Sequence, residues 1–269
     1  MLCYYFVIGG QPPPSKDNPQ TPQDNTMENK KIISCNCFEP DPGTRICYHS
    51  ISSFLNQCLR EENDWHNFQV KRNRLFKKED FRTVFLSPGE IEMVNRFKSL
   101  KKQIEWMAGR FLVKTMVQEA LGNGTSMTEI TVMHQDEGAP FLKGFPGFRI
   151  SISHSGDYAA VGLTTREGTD IGLDIEEIGK APDSSFLKTA FTQNELAAMG
   201  TTAREIFKHW TIKEAFLKYI KKGFNESLYR VEVIDEKIFH HGVEAHVSIL
   251  TRTIETQYSL SLVTGKIHG

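Results

Sequence analysis

The chain has 269 residues, 39% of them hydrophobic and 24% charged, with a formal net charge of −1. These values exclude a disordered chain and a globally basic nucleic-acid binder, and allow one large domain or two small ones. No apolar run approaches the ~20 residues of a membrane-spanning helix, so no membrane association is expected. Residues 2–8 are apolar but lack the basic flank and small-residue cleavage site of a secretory signal. All five cysteines, Cys3, Cys35, Cys37, Cys47 and Cys58, stand in the first 58 residues. An odd count confined to one end argues against a disulfide scaffold and for a reducing compartment, so a cytoplasmic location is expected. Cys35 and Cys37 have no second Cys or His pair at zinc spacing and read as ordinary thiols.

Residues 1–31 are rich in Pro, Asn, Gln and Asp and read as a disordered leader. The remainder divides into an N-terminal half, 32–147, and a C-terminal half, 148–269. An internal echo supports two halves. Ser87-x-x-Glu90 and Thr192-x-x-Glu195 each have the form of a capping box at a helix start. Trp106 and Trp210 each stand four residues before a charged side chain, Arg110 or Glu214, then an apolar triplet and a lysine. The offset is 105 at the glutamates (195 − 90) and 104 at the tryptophans (210 − 106). The echo therefore places Arg110 opposite Glu214. So long a period suggests duplication rather than a solenoid.

Between the echoes the hydrophobic period changes to two. Residues 148–153, 158–165 and 171–176 read as a three-stranded antiparallel meander, with turns at Ser155-Gly156-Asp157 and Glu167-Gly168-Thr169. A helix over 204–222 follows, then strands over 229–234, 243–250 and 256–263. The class is α+β: two similar halves related by a pseudo-twofold, each with a small antiparallel sheet and a long helix.

In the strand 171–176, Ile171, Leu173 and Ile175 share one face, so Gly172, Asp174 and Glu176 share the other. Taken alone, Asp-x-Glu reads as a solvated sheet edge. A hard cation such as Mg²⁺ would relieve the repulsion of the two carboxylates, with Gly172 leaving space for a ligand. On the following helix, Glu214 falls on the apolar stripe of Phe207, Trp210, Leu217 and Ile220. A carboxylate there needs a partner, a metal or a displaced pKa. Glu214 and Lys218 also have the spacing of an ordinary surface pair, which leaves the stripe unexplained. His154, between two serines and beside Gly156, sits in a polar strand end able to receive an anion.

Read together, the segments 150–156 (Ile-Ser-Ile-Ser-His-Ser-Gly), 171–176 (Ile-Gly-Leu-Asp-Ile-Glu), Phe191-Thr192-x-x-Glu195 and 210–218 (Trp-Thr-Ile-Lys-Glu-Ala-Phe-Leu-Lys) resemble the phosphopantetheinyl transferase superfamily. The likeness is to its longer type, which activates peptide and polyketide synthases. The resemblance implies a two-half monomer that moves the phosphopantetheine arm of coenzyme A onto a serine of an apo carrier protein. It implies that Asp174, Glu176 and Glu214 hold Mg²⁺ and that Lys218 stabilises the leaving 3′,5′-ADP. His154 and Ser153 would contact the coenzyme A phosphates, and Arg110 would be the coenzyme A arginine of the first half. One departure is Gly138-Ala139-Pro140, where the family carries a basic residue before the proline. Pro140 stays in the implied coenzyme A set, and the cationic contact is either absent or supplied from the basic stretch Lys71, Arg72 and Arg74. The serine proton would pass to Glu214 or to a metal-bound water; the sequence leaves both open. Lys208, Lys213, Lys221 and Lys222 offer complementary charge to an acidic carrier, and read equally as a solubilising face. A coenzyme A binder without catalysis, or a metal-dependent phosphohydrolase, is the competing reading.

Overall fold

The computed structural model describes residues 35–59, 79–222 and 226–266. The expected leader and the basic run Lys71, Arg72 and Arg74 lie outside the described residues. Two strands absent from the sequence reading open the fold. β1 (Asn36–Asp41) and β2 (Thr44–Ser50) pair antiparallel, and their turn uses Gly43 at φ +82°. Cys37 stands opposite Cys47 in this register, and the two form a disulfide. The odd cysteine count and its confinement to one end of the chain argue against a disulfide scaffold, and this pair corrects that expectation. Pairing at cross-strand positions is a property of register, which the count does not contain.

Helices α1 (Ile51–Leu59), α2 (Glu79–Phe85), α3 (Pro88–Asn95) and α4 (Leu100–Leu121) follow. The Ser87/Glu90 capping box starts α3, with Pro88 in its first turn, where a missing N–H costs nothing. Ser99 caps α4, and Gly122 ends it in the left-handed region at φ +61°. The middle of α4, from Gln103 to Val117, is almost wholly buried and forms the centre of the first core with Phe54, Phe85 and Ile130. A short hairpin, β3 (Val132–His134) and β4 (Pro140–Leu142), leads to β5 (Arg149–Ser155) and β6 (Tyr158–Thr164).

Beyond β7 (Thr169–Glu177) come α5 (Ser184–Ala190), α6 (Gln193–Ala198) and α7 (Ala203–Tyr219). Then follow β8 (Val231–Ile234), β9 (Lys237–His240), β10 (Val243–Glu244), β11 (Ser248–Ile254) and β12 (Tyr258–Lys266). The sheets run in the orders β1-β2-β6-β5, β11-β12-β7, β10-β9-β8 and β3-β4. The expected meander is therefore corrected. β5 and β6 form a hairpin, but β7 leaves them and pairs with β12 along its whole length. What joins β5 to β7 is a row of serines at alternate positions. Ser151 Oγ accepts from Leu173 N at 2.9 Å, Ser153 Oγ donates to Asp174 at 2.7 Å and Ser155 Oγ donates to Glu176 at 2.6 Å.

The trio β2-β6-β5 repeats as β7-β12-β11, and Tyr158 and Tyr258, which begin β6 and β12, meet with ring centroids 4.7 Å apart. The expected boundary at 147/148 places β5 and β6 in the second half, whereas both belong to the sheet of β2. A buried ion pair is repeated in the same way. Lys114 Nζ, fully buried, donates to Glu90 Oε2 and to the Phe85 carbonyl, while Val132 N–H donates to Glu90 Oε1. Lys213 Nζ, also fully buried, donates to Glu195 Oε2 and to the Ala190 carbonyl, while Val233 N–H donates to Glu195 Oε1. Each glutamate also closes its own capping box. Every charge is thus paired and hydrogen-bonded, the condition for burying one.

This pair corrects the register of the echo. The glutamates keep the offset of 105, but the equivalent lysines are 99 apart (213 − 114). Glu214 therefore stands opposite Thr115, not Arg110, and Trp210 opposite Phe111. The tryptophan match was a coincidence of composition. The buried lysine fixes the register, because its ammonium must reach the glutamate. It also removes Lys213 from any surface offered to a carrier.

Candidate active site

The site lies where β7 and α7 meet the end of β5. Gly172 permits that meeting: a Cβ there would run into the Ala215 carbonyl and the Tyr219 amide of α7. The space beside Gly172, expected to admit a ligand, is filled by helix backbone. The close approach sets Glu214 and Lys218 of α7 against Asp174 and Glu176 of β7. Glu214 is half-buried. The most buried positions of α7 are Ile206, Thr211, Ile212, Lys213, Ala215, Phe216, Leu217 and Tyr219, because the helix is covered both by β7-β12 and by β8-β9. The Phe207–Trp210–Glu214 stripe forms the rim of that buried face.

Asp174 is 3% exposed. Its Oδ1 accepts from Lys218 Nζ at 2.7 Å and from Ser153 Oγ at 2.7 Å, and Lys218 Nζ also donates to Ser153 Oγ at 2.9 Å. Its Oδ2 is buried with no hydrogen-bond partner among the described residues. Glu176 accepts from Ser155 Oγ and from the Trp210 indole; burial, followed by the charge of Asp174, raises its pKa. Burial, again followed by the Asp174 charge, pushes Glu214 up to about 7. Three carboxylates thus face one another with a single ammonium among them. An orphaned buried carboxylate oxygen and two carboxyls driven toward neutrality are what a hard divalent cation would satisfy. The residues fit Mg²⁺.

His154 lies at the rim, half-exposed, with Nδ1 3.8 Å from Glu105 Oε2. Burial holds its imidazole below the ordinary pKa, against the Glu105 carboxylate; Lys218 and Lys101 lower it further. Beside it a cleft of about 490 Å³ is lined by Ile51, Ser52, Lys101, Ile104, Glu105, Gly156 and Asp157. Arg110 is not brought to the carboxylates. It is buried, with its guanidinium 4.3 Å from the Trp106 ring centroid and Nη2 3.3 Å from His134 Nε2. Burial lowers its pKa to about 10, opposed by Glu90. Pro140 pairs in register with His134, so Arg110, His134 and Pro140 form a separate group.

The sequence reading missed Glu105, His134, the Trp210 indole and the role of Ser155. The serines carried a signal: Ser151, Ser153 and Ser155 recur at period two on one strand face. Glu105 and His134 carried none, since each gains its meaning from a distant element.

An α+β fold with two repeated sheets and a carboxylate–lysine cluster on the second defines the class. Residues 170–265 match the model of the 4′-phosphopantetheinyl transferase superfamily, and residues 76–165 match that of a 4′-phosphopantetheinyl transferase N-terminal region. The chain is 26% identical over 164 residues to the L-aminoadipate-semialdehyde dehydrogenase-phosphopantetheinyl transferase of Xenopus laevis, covering 55% of this chain and 53% of that one. It is 31% identical over 172 residues to a phosphopantetheinyl transferase of Thraustochytrium sp., covering 56% and 58%. It is 34% identical over 94 residues to the holo-(acyl-carrier-protein) synthase of Exiguobacterium sibiricum, covering 32% and 73%. The chain belongs to the 4′-phosphopantetheinyl transferase superfamily, and it spans about half the length of the first two relatives.

Proposed function

We propose that the protein transfers the 4′-phosphopantetheine arm of coenzyme A to a serine hydroxyl of an apo carrier protein, releasing 3′,5′-ADP. The observation that carries this reading is the convergence of Asp174, Glu176, Glu214 and Lys218, with Asp174 Oδ2 left unpartnered. Asp174, Glu176 and Glu214 would hold Mg²⁺, which when bound supplies electrostatic stabilisation to the diphosphate of coenzyme A. Lys218, fixed by Asp174 and Ser153, is placed to offset charge on the departing ADP oxygen. The serine oxygen forms a bond to the phosphorus bearing pantetheine as the bond from that phosphorus to ADP breaks. Glu214 or a water beside it would take the serine proton in this scheme. Little covalent work falls to the protein, so positioning dominates. Lys101 at the cleft rim supplies a cation, and the neutral His154 imidazole a hydrogen-bonding group, for the phosphates of coenzyme A.

Within the same reading, the chain divides into its two halves at residues 165–168, acts as a monomer and resides in the cytoplasm. The repeated order β2-β6-β5 and β7-β12-β11 supports the division. Light scattering after size exclusion and cell fractionation test the other two.

The function is tested by intact-mass spectrometry of apo carrier proteins incubated with the protein, coenzyme A and Mg²⁺, with and without chelator. A chelator-sensitive gain of one phosphopantetheine arm is expected. No gain on several unrelated carriers, with coenzyme A still bound, would make the protein a binder. Release of 3′,5′-ADP without any carrier would make it a hydrolase.

A further inference from the structure

A second set of metal-ligating side chains converges beyond the end of α7. Glu226 is buried, His240 half-buried and His241 exposed. Glu226 Oε2 lies 3.1 Å from His240 Nε2 and 3.4 Å from His241 Nε2, and one ligand atom of each residue lies within 4.8 Å of the other two. Zinc bonds to imidazole nitrogen and carboxylate oxygen run about 2.0–2.2 Å, so adjacent ligand atoms around a tetrahedral ion stand about 3.4 Å apart. The observed separations suit the edges of that tetrahedron as well as they suit hydrogen bonds.

The backbone brings the two rings together. Neighbouring residues of a strand point to opposite faces. His240 ends β9, but His241 adopts φ +53°, a conformation few side chains take, and Gly242 follows at φ +76°. The ring centroids of His240 and His241 are consequently 4.3 Å apart. The His241 amide donates to the Arg230 carbonyl at 2.8 Å, which ties this turn to the segment carrying Glu226.

The second oxygen of the carboxylate is held from behind. Glu226 Oε1 accepts from Ser227 N at 3.0 Å and lies 3.7 Å from Arg230 Nη1. The His240 ring stands edge-on to Phe216 of α7, with centroids 5.5 Å apart. Such outer partners orient metal ligands and fix their donor atoms. One group competes for Oε2: Lys222 Nζ, 3.7 Å away on a side chain that is 55% exposed and can move to solvent.

We propose that Glu226, His240 and His241 form a binding site for a divalent transition metal of the zinc type, with a fourth position open to water on the exposed side. Two imidazoles with one carboxylate suit zinc and its neighbours rather than Mg²⁺, which prefers oxygen. The site shares no ligand with the carboxylate cluster. An ion there fastens the segment after α7 to the β9–β10 turn and stabilises the folded chain by mass action.

The test uses the untagged full chain in excess Mg²⁺, with Zn²⁺ delivered in competition with a chromophoric chelator and Co²⁺ as a ligand-field probe. Wild type is expected to bind Zn²⁺ with a rise in melting temperature and to give the visible bands of four-coordinate Co²⁺. His241→Ala, at an exposed position, is expected to lose at least about tenfold in Zn²⁺ affinity, no less than the loss of an outer partner costs. The double variant His240→Ala/His241→Ala is expected to lose the Co²⁺ bands and the thermal shift. Zn²⁺ binding no tighter than millimolar in wild type would overturn the proposal. So would isotherms and Co²⁺ spectra that are unchanged in both variants.

Discussion

The two repeated units share a skeleton and differ in what they present at equivalent points. Each buries a lysine on its long helix against a capping-box glutamate, Lys114 with Glu90 and Lys213 with Glu195. The residue after each lysine differs: Thr115 in the first unit, Glu214 in the second. Counting from the paired starts of β6 and β12, Asp174 corresponds to Cys47 and Glu176 to His49. Three acidic positions of one unit are thus a disulfide cysteine, an imidazole and a hydroxyl in the other. Gly172, which lets α7 touch β7, corresponds to Arg45, whose guanidinium instead bridges to Glu119 of α4 at 2.5 Å. The buried pairs hold both units in shape, while the exchange of a few strand and helix residues builds the carboxylate–lysine cluster of the second unit.

The largest expected effect falls on the position where the units differ most. Asp174→Ala should lower transfer by roughly 10³-fold or more, in the range of losing a principal electrostatic contact, with a cooperative urea transition retained. Mass spectrometry of the carrier and a urea titration measure the two sides. The shared device should respond alike in both units. Lys114→Met and Lys213→Met each strand a buried carboxylate and should cost about 3–5 kcal/mol in urea unfolding. A cheap substitution at one and a costly one at the other would break the equivalence.

His49, opposite number of Glu176, sets a pH dependence. Its ring is 2% exposed, packs edge-on to Phe54 and has no hydrogen-bond partner at either nitrogen among the described residues. Burial lowers its pKa from 6.5 to about 4, against the pull of Asp157. The unfolded chain therefore binds more protons between those values, so stability falls as pH drops through that window, by roughly 3 kcal/mol in all. His49→Phe should flatten that part of the pH profile and raise the melting temperature at pH 5. A profile unchanged by the substitution would remove His49 as its source. Gly172→Ala should push α7 from β7 and cost about 1–3 kcal/mol, with a loss of transfer. Arg45→Ala, at the matching place, should cost about 1 kcal/mol or less, because its ion pair is partly solvated.

Much of the second unit was legible because its signals are local. The Thr192/Glu195 capping box, the alternation of β7 and the long helix α7 all rest on residues a few positions apart. Asp174 and Glu176 were legible as a pair because strand period puts them on one face. The first unit was read poorly: β1 through β4 went unseen, since short strands flanked by polar residues give weak periodicity. The repeat that set Arg110 opposite Glu214 was in the wrong register, and Lys213, offered as a surface charge, is buried against Glu195.

The sequence by itself determined the class, the main elements from residue 86 onward and the chemical types at the site, because helix caps and hydrophobic periods act over a few residues. Only the tertiary structure decided which strand pairs with β7, which lysine answers which glutamate, and that Arg110 turns to His134 and Trp106 rather than to the carboxylates. Those are choices of partner between segments far apart in the chain. They are set by how closely backbones approach, as at Gly172, and by the need to satisfy every buried charge.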